Sequence, residues 1–298
     1  MGEMQQKQIV QWFPGHMAKT RRLIKESLSL VDAVTEIVDA RIPESSRNPE
    51  LAEMIGDKPL ILLLNKSDLA DKDATKQWLS FYKARGVRAV AVDCKSGSGL
   101  NAYRDCVKQT LADKIKSNAE KGMAGRPLRI MVVGIPNTGK SSFINKMAGK
   151  NRAKVADKPG VTRQNQWFAI GDGMELLDTP GVLWPKFEDP AVGDKLAFIG
   201  SVKNEVFDPE TLVLRLIDVL ASDYKTQFSQ RYKLEKFDIS QMENYEILEL
   251  VGRKRGMLIS GGEIDTLRAA NMILDEYKSG KFGKLTLERP VLKENEGE

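Results

Sequence analysis

The order of two short motifs constrains this chain more than any other feature. Gly134-Ile135-Pro136-Asn137-Thr138-Gly139-Lys140-Ser141 fits G-x-x-x-x-G-K-[ST]. Backbone N–H groups of such a loop wrap a polyphosphate, the lysine reaches the outer phosphates and the serine hydroxyl meets Mg²⁺. Asn65-Lys66-Ser67-Asp68 fits N-K-x-D and stands about 70 residues upstream. Its aspartate can accept hydrogen bonds from both N1–H and the exocyclic amine of guanine, donors that adenine does not offer in that arrangement. Open parallel sheets bind ligands beyond the carboxyl ends of their strands. The fold must therefore bring two distant strand ends to one crevice, with the base-reading strand preceding the phosphate-binding one.

The hydrophobic pattern supplies those strands. Pro59 to Leu64 is a continuous apolar run of strand length that delivers Asn65, and Leu128 to Val133 feeds the phosphate loop, with a helix expected over 140–148. Around them the pattern predicts a basic amphipathic helix over 16–30, a strand over 34–39, helices over 73–84 and 100–115, and a strand over 87–92. The polar stretch 116–127 reads as a linker. Gln166 to Ile170 and Met174 to Leu177 bracket Gly171-Asp172-Gly173 as a hairpin. In ordinary GTPases the base reader follows the phosphate loop, so the chain looks like a circularly permuted GTPase of the α/β class. From residue 208 the pattern turns all-helical. Asp208 before Pro209 marks a helix start, and Ser260 with Glu263 suggests a capping box ahead of Ile264, Leu267, Ala270, Leu274 and Tyr277 at helical spacing. The expected division is a permuted GTPase domain over 1–207, a helical domain over 208–293 and a disordered tail over 294–298.

The motifs assign chemistry residue by residue. Asn137, Thr138, Gly139, Lys140, Ser141 and Ser142 form the phosphate-binding set, with Lys140 also stabilising charge on the transferring phosphoryl group. Asn65 ties the base loop to the phosphate loop, Lys66 lays its stem along the base, and Ser67 and Asp68 complete the reader. Asp93-Cys94-Lys95 occupies the place of the Ser-Ala-Lys motif whose backbone amide contacts guanine O6; only Lys95 matches by type. Asp178-Thr179-Pro180-Gly181 fits D-x-x-G, with Asp178 in the Mg²⁺ shell beside Ser141 and Gly181 sensing the γ-phosphate. Thr162 stands where a switch threonine brings its hydroxyl to Mg²⁺, although an ordinary loop threonine would also fit. Asn137 is typical of loops that hold K⁺ beside the phosphates, and equally could cap a turn. Val182 follows Gly181, where Ras-like proteins carry a water-orienting glutamine, and it can neither donate nor accept. Something else must position the water. His16 is the single histidine of the chain; from the residues alone it reads as a cap or packing residue.

Charge and composition narrow the partners. The chain has 298 residues and a net charge of +5, without an apolar stretch of membrane-spanning or signal-peptide length, so a cytoplasmic address is expected. Cys94 and Cys106 have neither C-x-x-C spacing nor a histidine cluster beside them, which argues against a disulfide framework and a zinc site. Residues 250–293 hold nine basic and five acidic side chains, whereas 208–249 hold five and nine. That basic sector suits a phosphate-rich partner such as RNA, and also suits a solvated charged face.

Taken together, Trp12-Phe13-Pro14-Gly15-His16-Met17, Asp39-Ala40-Arg41-Ile42-Pro43, Asn65 to Asp68, Pro136 to Ser141, Asp178 to Gly181 and the stretch from Arg253-Lys254-Arg255-Gly256 to Arg268 resemble the bacterial ribosome biogenesis GTPase A family. The resemblance spans nearly the whole chain. It implies a hydrophobic-substituted, permuted GTPase that binds GTP and GDP with Mg²⁺, acts late in assembly of the large (50S) ribosomal subunit and is stimulated by that particle. The histidine of the family's P-G-H-M motif is held to be catalytic and falls on His16. Its helical domain is regarded as RNA-binding, which points to Arg253, Lys254 and Arg255, joined by Lys19, Arg21 and Arg22 of the first helix. Neither a membrane nor DNA is implied. Competing expectations are a signalling switch with a protein effector, another RNA-associated GTPase, and a P-loop kinase or ATPase, the last opposed by Asp68.

Overall fold

A computed structural model of the chain describes residues 14–149, 166–181, 189–202 and 207–291, with side chains from Arg21 onward. Six strands form one sheet: β1 (Ala33–Asp39), β2 (Leu60–Asn65), β3 (Arg88–Ala91), β4 (Leu128–Gly134), β5 (Gln166–Ala169) and β6 (Met174–Asp178). Their spatial order is β3-β2-β1-β4-β6-β5, parallel except for the edge strand β5, which runs antiparallel to β6. The two central strands are β1 and β4, paired in parallel register with Ile37 opposite Gly134. From β1 the chain proceeds to β2 on one side, and from β4 to the hairpin on the other. The sheet therefore reverses direction at the β1/β4 boundary, the switch point where open α/β sheets leave a crevice for ligand.

Alternation along the strands divides the core. Ile61, Leu63, Ile130 and Val132 face the helices α4 (Leu100–Thr110) and α6 (Lys140–Ala148), packing with Tyr103, Val107, Phe143 and Ile144. On the opposite face Val34, Met131 and Leu177 meet Ile24 of α1 (Pro14–Leu28) and Leu51 and Ile55 of α2 (Leu51–Ile55). Leu62 and Leu64 meet Trp78 and Tyr82 of α3 (Lys72–Ala84).

The expected linker over 116–127 is helical only through Glu120, with turns over 121–127. The helix expected over 100–115 breaks at Leu111, and α5 (Ala112–Glu120) continues to Glu120 before a turn returns the chain to β4. Asn118 is buried there and its carbonyl accepts from the Met123 amide at 2.8 Å, so the crossing is packed against the body.

The helices α7 (Pro190–Phe198), α8 (Pro209–Asp223), α9 (Lys225–Tyr232), α10 (Asn244–Lys254) and α11 (Thr266–Lys278) enclose a separate core. Leu196 and Phe198 of α7 join it, as do Ile42 and Ile135 from the sheet side, so apolar packing is continuous across the junction. Asp208 caps α8 as expected, accepting from the Thr211 amide at 2.8 Å. The capping box expected at Ser260 and Glu263 lies instead at Glu243 and Glu246 on α10. Asp265 caps α11, because residues 258–264 are drawn into a bridge between Leu258 and Ile264. Leu267 consequently falls on the exposed side of α11, while Ala270, Leu274 and Tyr277 are buried.

After α11 the chain runs back over the sheet side without regular structure. Leu285 N–H donates to Leu69 O at 3.0 Å, Leu287 N–H to Arg41 O at 2.8 Å, and Trp78 Nε1 to Glu288 O at 3.1 Å. The Glu288 carboxylate accepts from the Glu44 amide at 2.8 Å and from Lys195 Nζ at 3.1 Å. This strap fastens the helical layer to the loops at the carboxyl ends of β1 and β2.

Candidate functional site

The cleft forms where those strand ends meet. It encloses about 1000 Å³ between the base loop, the Asp93-Cys94-Lys95 turn, the start of α6 and the end of α11. Asn65, Lys66, Asp68, Asp93, Cys94, Gly139 and Ser142 line it, so seven of the expected nucleotide residues converge. Ser67 does not line it; its amide donates to Val92 O at 3.1 Å and anchors the loop to the end of β3.

Asn65 joins the two motifs directly. Its side-chain amide donates to Thr138 O at 2.7 Å, and its carbonyl oxygen accepts from the Cys94 amide at 3.3 Å. A side chain at position 139 is impossible there: Gly139 has φ +93°, and a Cβ would lie 2.2 Å from Asn65 Nδ2. Lys66 Nζ donates to Asn137 O at 2.6 Å and pairs with Asp39 at 3.0 Å. Burial pushes Lys66 below the ordinary lysine range, with Asp39 opposing that shift.

Asp39 is the residue that motif reasoning left without a role. Burial works to raise its pKa, but Arg41 and Lys66 outweigh that and hold the carboxyl well below the usual carboxylate range. Arg41 Nε and Nη2 each lie 2.9 Å from a different Asp39 oxygen, and Nη1 donates to Tyr277 O at 3.0 Å and Lys278 O at 3.3 Å. One buried guanidinium thus closes a bidentate ion pair and satisfies two carbonyls at the end of α11. The nearness of Asp39 and Arg41 in sequence hinted at a pair; the partners on α11, more than 230 residues away, had no sequence signal.

Asp93 points at its own turn. It accepts from the Lys95 amide at 2.8 Å and the Ser96 amide at 3.2 Å; burial works to raise its pKa, but the Ser96 side chain first, and these amides with it, outweigh that and hold it below the usual carboxylate range. It shapes the turn that presents the Cys94 and Lys95 amides. The buried Cys94 thiol is pushed up to about 12 and stays protonated.

The phosphate end is formed mainly by backbone. Gly134 ends β4, Asn137 and Thr138 lie in the loop that follows, and Lys140 and Ser141 open α6, whose N-terminus presents unsatisfied amides. Thr138 is buried and its hydroxyl donates to Ile135 O at 3.0 Å. The Asn137 side chain donates to Gly200 O, which leaves its own carbonyl oxygen as the atom able to face a cation. Lys140 is buried and thereby pushed below its ordinary value, with Asp178 opposing, so the lysine and the D-x-x-G aspartate are electrostatic neighbours. Gly181 packs on the phosphate loop, where a Cβ would lie 3.3 Å from Pro136 N.

Among the described residues no group of three or more His, Cys, Asp or Glu side chains is placed to hold a metal ion. Ser141 and Asp178 offer one hydroxyl and one carboxylate. That sparse share of hard oxygen donors fits Mg²⁺, which completes its shell with phosphate oxygens and water. Thr162 and Val182 lie outside the described residues, as does the tail over 294–298. The first helix, expected to begin at His16, begins two residues earlier at Pro14, so His16 stands in its first turn; the side chains of His16 and Lys19 lie outside those described.

The basic residues are distributed over two places. Arg253, Lys254 and Arg255 are exposed at the end of α10, where cations also complement the helix dipole. Arg255 lies 3.7 Å from Glu276 and Lys254 lies over the Phe237 ring. On α1, Arg21 pairs with Glu50 and Arg22 with Glu26.

A central P-loop strand, a base reader on the neighbouring side of the switch point and a reversed order of the two define a circularly permuted P-loop GTPase carrying a helical C-terminal region. The family model described as "50S ribosome-binding GTPase" matches residues 129–252, beginning at β4 and leaving Asn65 to Asp68 outside, as the permutation requires. The chain is 45% identical to Ribosome biogenesis GTPase A of Priestia megaterium, over 94% of this chain and 97% of that one, and 33% identical to the protein of the same name from Thermotoga maritima, over 94% of each. The solved structure of GNP-bound YlqF from T. maritima superposes with a TM-score of 0.67 at 30% identity, over 92% of this chain and 99% of that one. The chain belongs to the ribosome biogenesis GTPase A family and is a GTP phosphohydrolase of ribosome biogenesis. Mg²⁺ dependence comes with such a domain.

Proposed function

We propose that this GTPase acts late in assembly of the large (50S) ribosomal subunit, binding the immature particle and its rRNA in the GTP state and leaving after hydrolysis. The observation that carries this reading is the lock between the two motifs. Asn65 bonded to Thr138 and Lys66 bonded to Asn137 make guanine recognition and phosphate binding one rigid unit, so occupancy at one end is felt at the other. In this reading Asp68 selects guanine, Cys94 presents its amide to O6, and the amides of residues 137–142 with Lys140 stabilise charge on the transferring phosphoryl group. Gly181 senses the γ-phosphate. Ser141, Asp178 and Thr162 hold Mg²⁺, which supplies further charge neutralisation, and Asn137 offers its carbonyl oxygen to K⁺.

Val182 leaves the usual water-orienting place without a polar group, and His16 takes that task, its helix standing on the sheet face next to Met131 and Leu177. The helical domain over 208–293 carries Arg253, Lys254 and Arg255 toward RNA phosphates, helped by Lys19, Arg21 and Arg22 from the GTPase domain over 1–207. Among the described residues no helix is long and apolar enough to cross a membrane, which accords with a cytoplasmic place of work. The test is sedimentation of the protein with immature large subunits in GDP, GTP and a non-hydrolysable analogue. Retention with the analogue, association with GTP that is lost as the nucleotide is hydrolysed, and release with GDP are expected. Equal association in all three states, or none with any, would overturn the reading.

A further inference from the structure

The helical region contributes a cation to the nucleotide cleft. Lys278, the last residue of α11, lines the same cavity as Lys66, Asp68 and Leu69, although it comes from the other end of the chain. Its backbone is fixed there by buried charge, since Arg41 holds the Lys278 and Tyr277 carbonyls while gripping Asp39, the partner of Lys66. The next turn presses on the base loop: Gly280 has φ +75°, and a Cβ there would come within 2.6 Å of Leu69 Cδ2. The side chain runs beside the phosphate loop. A Cβ on Gly200 would lie 3.6 Å from Lys278 Cε and 3.5 Å from Asn137 Nδ2.

The ammonium group is weakly committed. Its ion pair with Asp275 is 3.5 Å long and the aspartate is 77% exposed, a pair that contributes little in water. By contrast, Lys66 and Lys146, which line the same cleft, donate to carbonyls of the cleft wall, at Asn137 and Lys95. An ammonium can only donate, and a nucleotide spanning the base loop and the phosphate loop would bring its ribose and phosphate oxygens, which are acceptors, between Asp68 and Gly139 in the cleft that Lys278 lines.

We propose that Lys278 is a nucleotide-binding residue supplied in cis by the helical region, its ammonium contacting the ribose–phosphate oxygens of a bound guanine nucleotide. The proposal rests on the reading of this cleft as the guanine-nucleotide site. It makes the end of α11 part of the ligand's own environment, so nucleotide binding and the seating of the helical region are linked by direct contact.

Calorimetric titration of the full chain with GDP tests it, using wild type, Lys278→Ala, Lys278→Arg, Asp68→Asn, and Lys284→Ala on the strap as a control for general charge. Lys278→Ala should weaken GDP about tenfold or more, as expected for a lost charge-assisted hydrogen bond. Lys278→Arg should restore most of it, and Lys284→Ala should bind as wild type. If the Lys278→Ala deficit disappears with 2′,3′-dideoxy-GDP, the acceptors are the ribose hydroxyls; if it persists, they are the phosphates. Both outcomes support the contact. Wild-type affinity in Lys278→Ala together with a loss in Asp68→Asn would overturn the proposal and leave the cleft reading intact. Wild-type affinity in both variants would overturn the cleft reading itself. Amine acylation of the unmutated protein gives an independent readout: GDP should slow modification of Lys278 but not of Lys284, and equal rates would count against the contact.

Discussion

The base end and the phosphate end of the cleft are held in place by different means. At the phosphate end the geometry is local. A strand, a glycine loop and a helix N-terminus in one stretch of chain place the amides, and buried Lys140 beside Asp178 completes the charge. At the base end the motif is supported from behind by distant elements: Asp39 holds Lys66, Arg41 holds Asp39, and α11 with its strap closes over Arg41 and Leu69. The difference shows where the two regions of the molecule act as one. The phosphate-binding amides are placed by one stretch of the sheet side, touched by the helical layer only at contacts such as Asn137 to Gly200 O, whereas the base loop is stiffened from behind by the helical region.

The largest expected effect breaks the phosphate end alone. Lys140→Ala should lower single-turnover GTP hydrolysis by about 10²–10³-fold or more, because a preorganised charge facing the transferring group is lost. Its urea midpoint without nucleotide should stay close to wild type. Turnover near the wild-type rate would remove Lys140 from the chemistry.

Breaking the base end should instead show as stability. Arg41→Ala strips the buried Asp39 of its bidentate partner and uncovers two carbonyls of α11, a loss on the order of 3–5 kcal/mol measured by urea unfolding. The pH dependence has a definite sign. Because the folded Asp39 carboxyl is held well below its ordinary value, its contribution is fully present above the unfolded pKa of about 3.9 and is lost as pH falls toward the folded value. Wild type and Asp39→Asn should therefore differ most above about pH 5 and converge in stronger acid. A gap that is constant through that range would place the pair's contribution elsewhere.

His16→Ala sharpens the comparison from outside both ends. A residue that positions water affects rate and not ground-state binding. The variant should keep GTP affinity and particle association while losing tenfold or more of particle-stimulated turnover, within the range of about 10²–10⁴ typical of a positioned acid or base. Equal turnover with saturating subunits and potassium would return His16 to a capping role. The smallest effect is expected at the basic sector. Replacing Arg253, Lys254 and Arg255 with glutamate should weaken particle binding and flatten its salt dependence, with GTP affinity intact. Indifference to both would make this surface a site for protein contacts.

Much of this was legible in the sequence, for a physical reason. Apolar strand runs, glycine loops and the cap at Asp208 are local devices, and each residue's neighbours are in view. Local pattern misled where two devices competed. Ser260 and Glu263 have capping spacing, but Ile264 pairs with Leu258 and packs under Gly252, so the helix waits for Asp265. Residues 116–120 are polar and yet helical, because α5 extends the packing of α4. The roles of Arg41, Tyr277, Lys278 and Glu288 were invisible, since each is defined by a partner about 90–240 residues away.

The most direct test of the account is nucleotide choice by Asp68→Asn. If the upstream N-K-x-D motif reads the base of the nucleotide whose phosphates lie on the downstream loop, the variant should bind GTP more weakly than wild type and prefer xanthosine triphosphate, whose carbonyl replaces the guanine amine; each unpaired donor costs about 1–3 kcal/mol. Competition between the two nucleotides on wild type and variant measures this. Reversed preference in the variant is the predicted result, and unchanged GTP affinity with no gain for xanthosine triphosphate would contradict it.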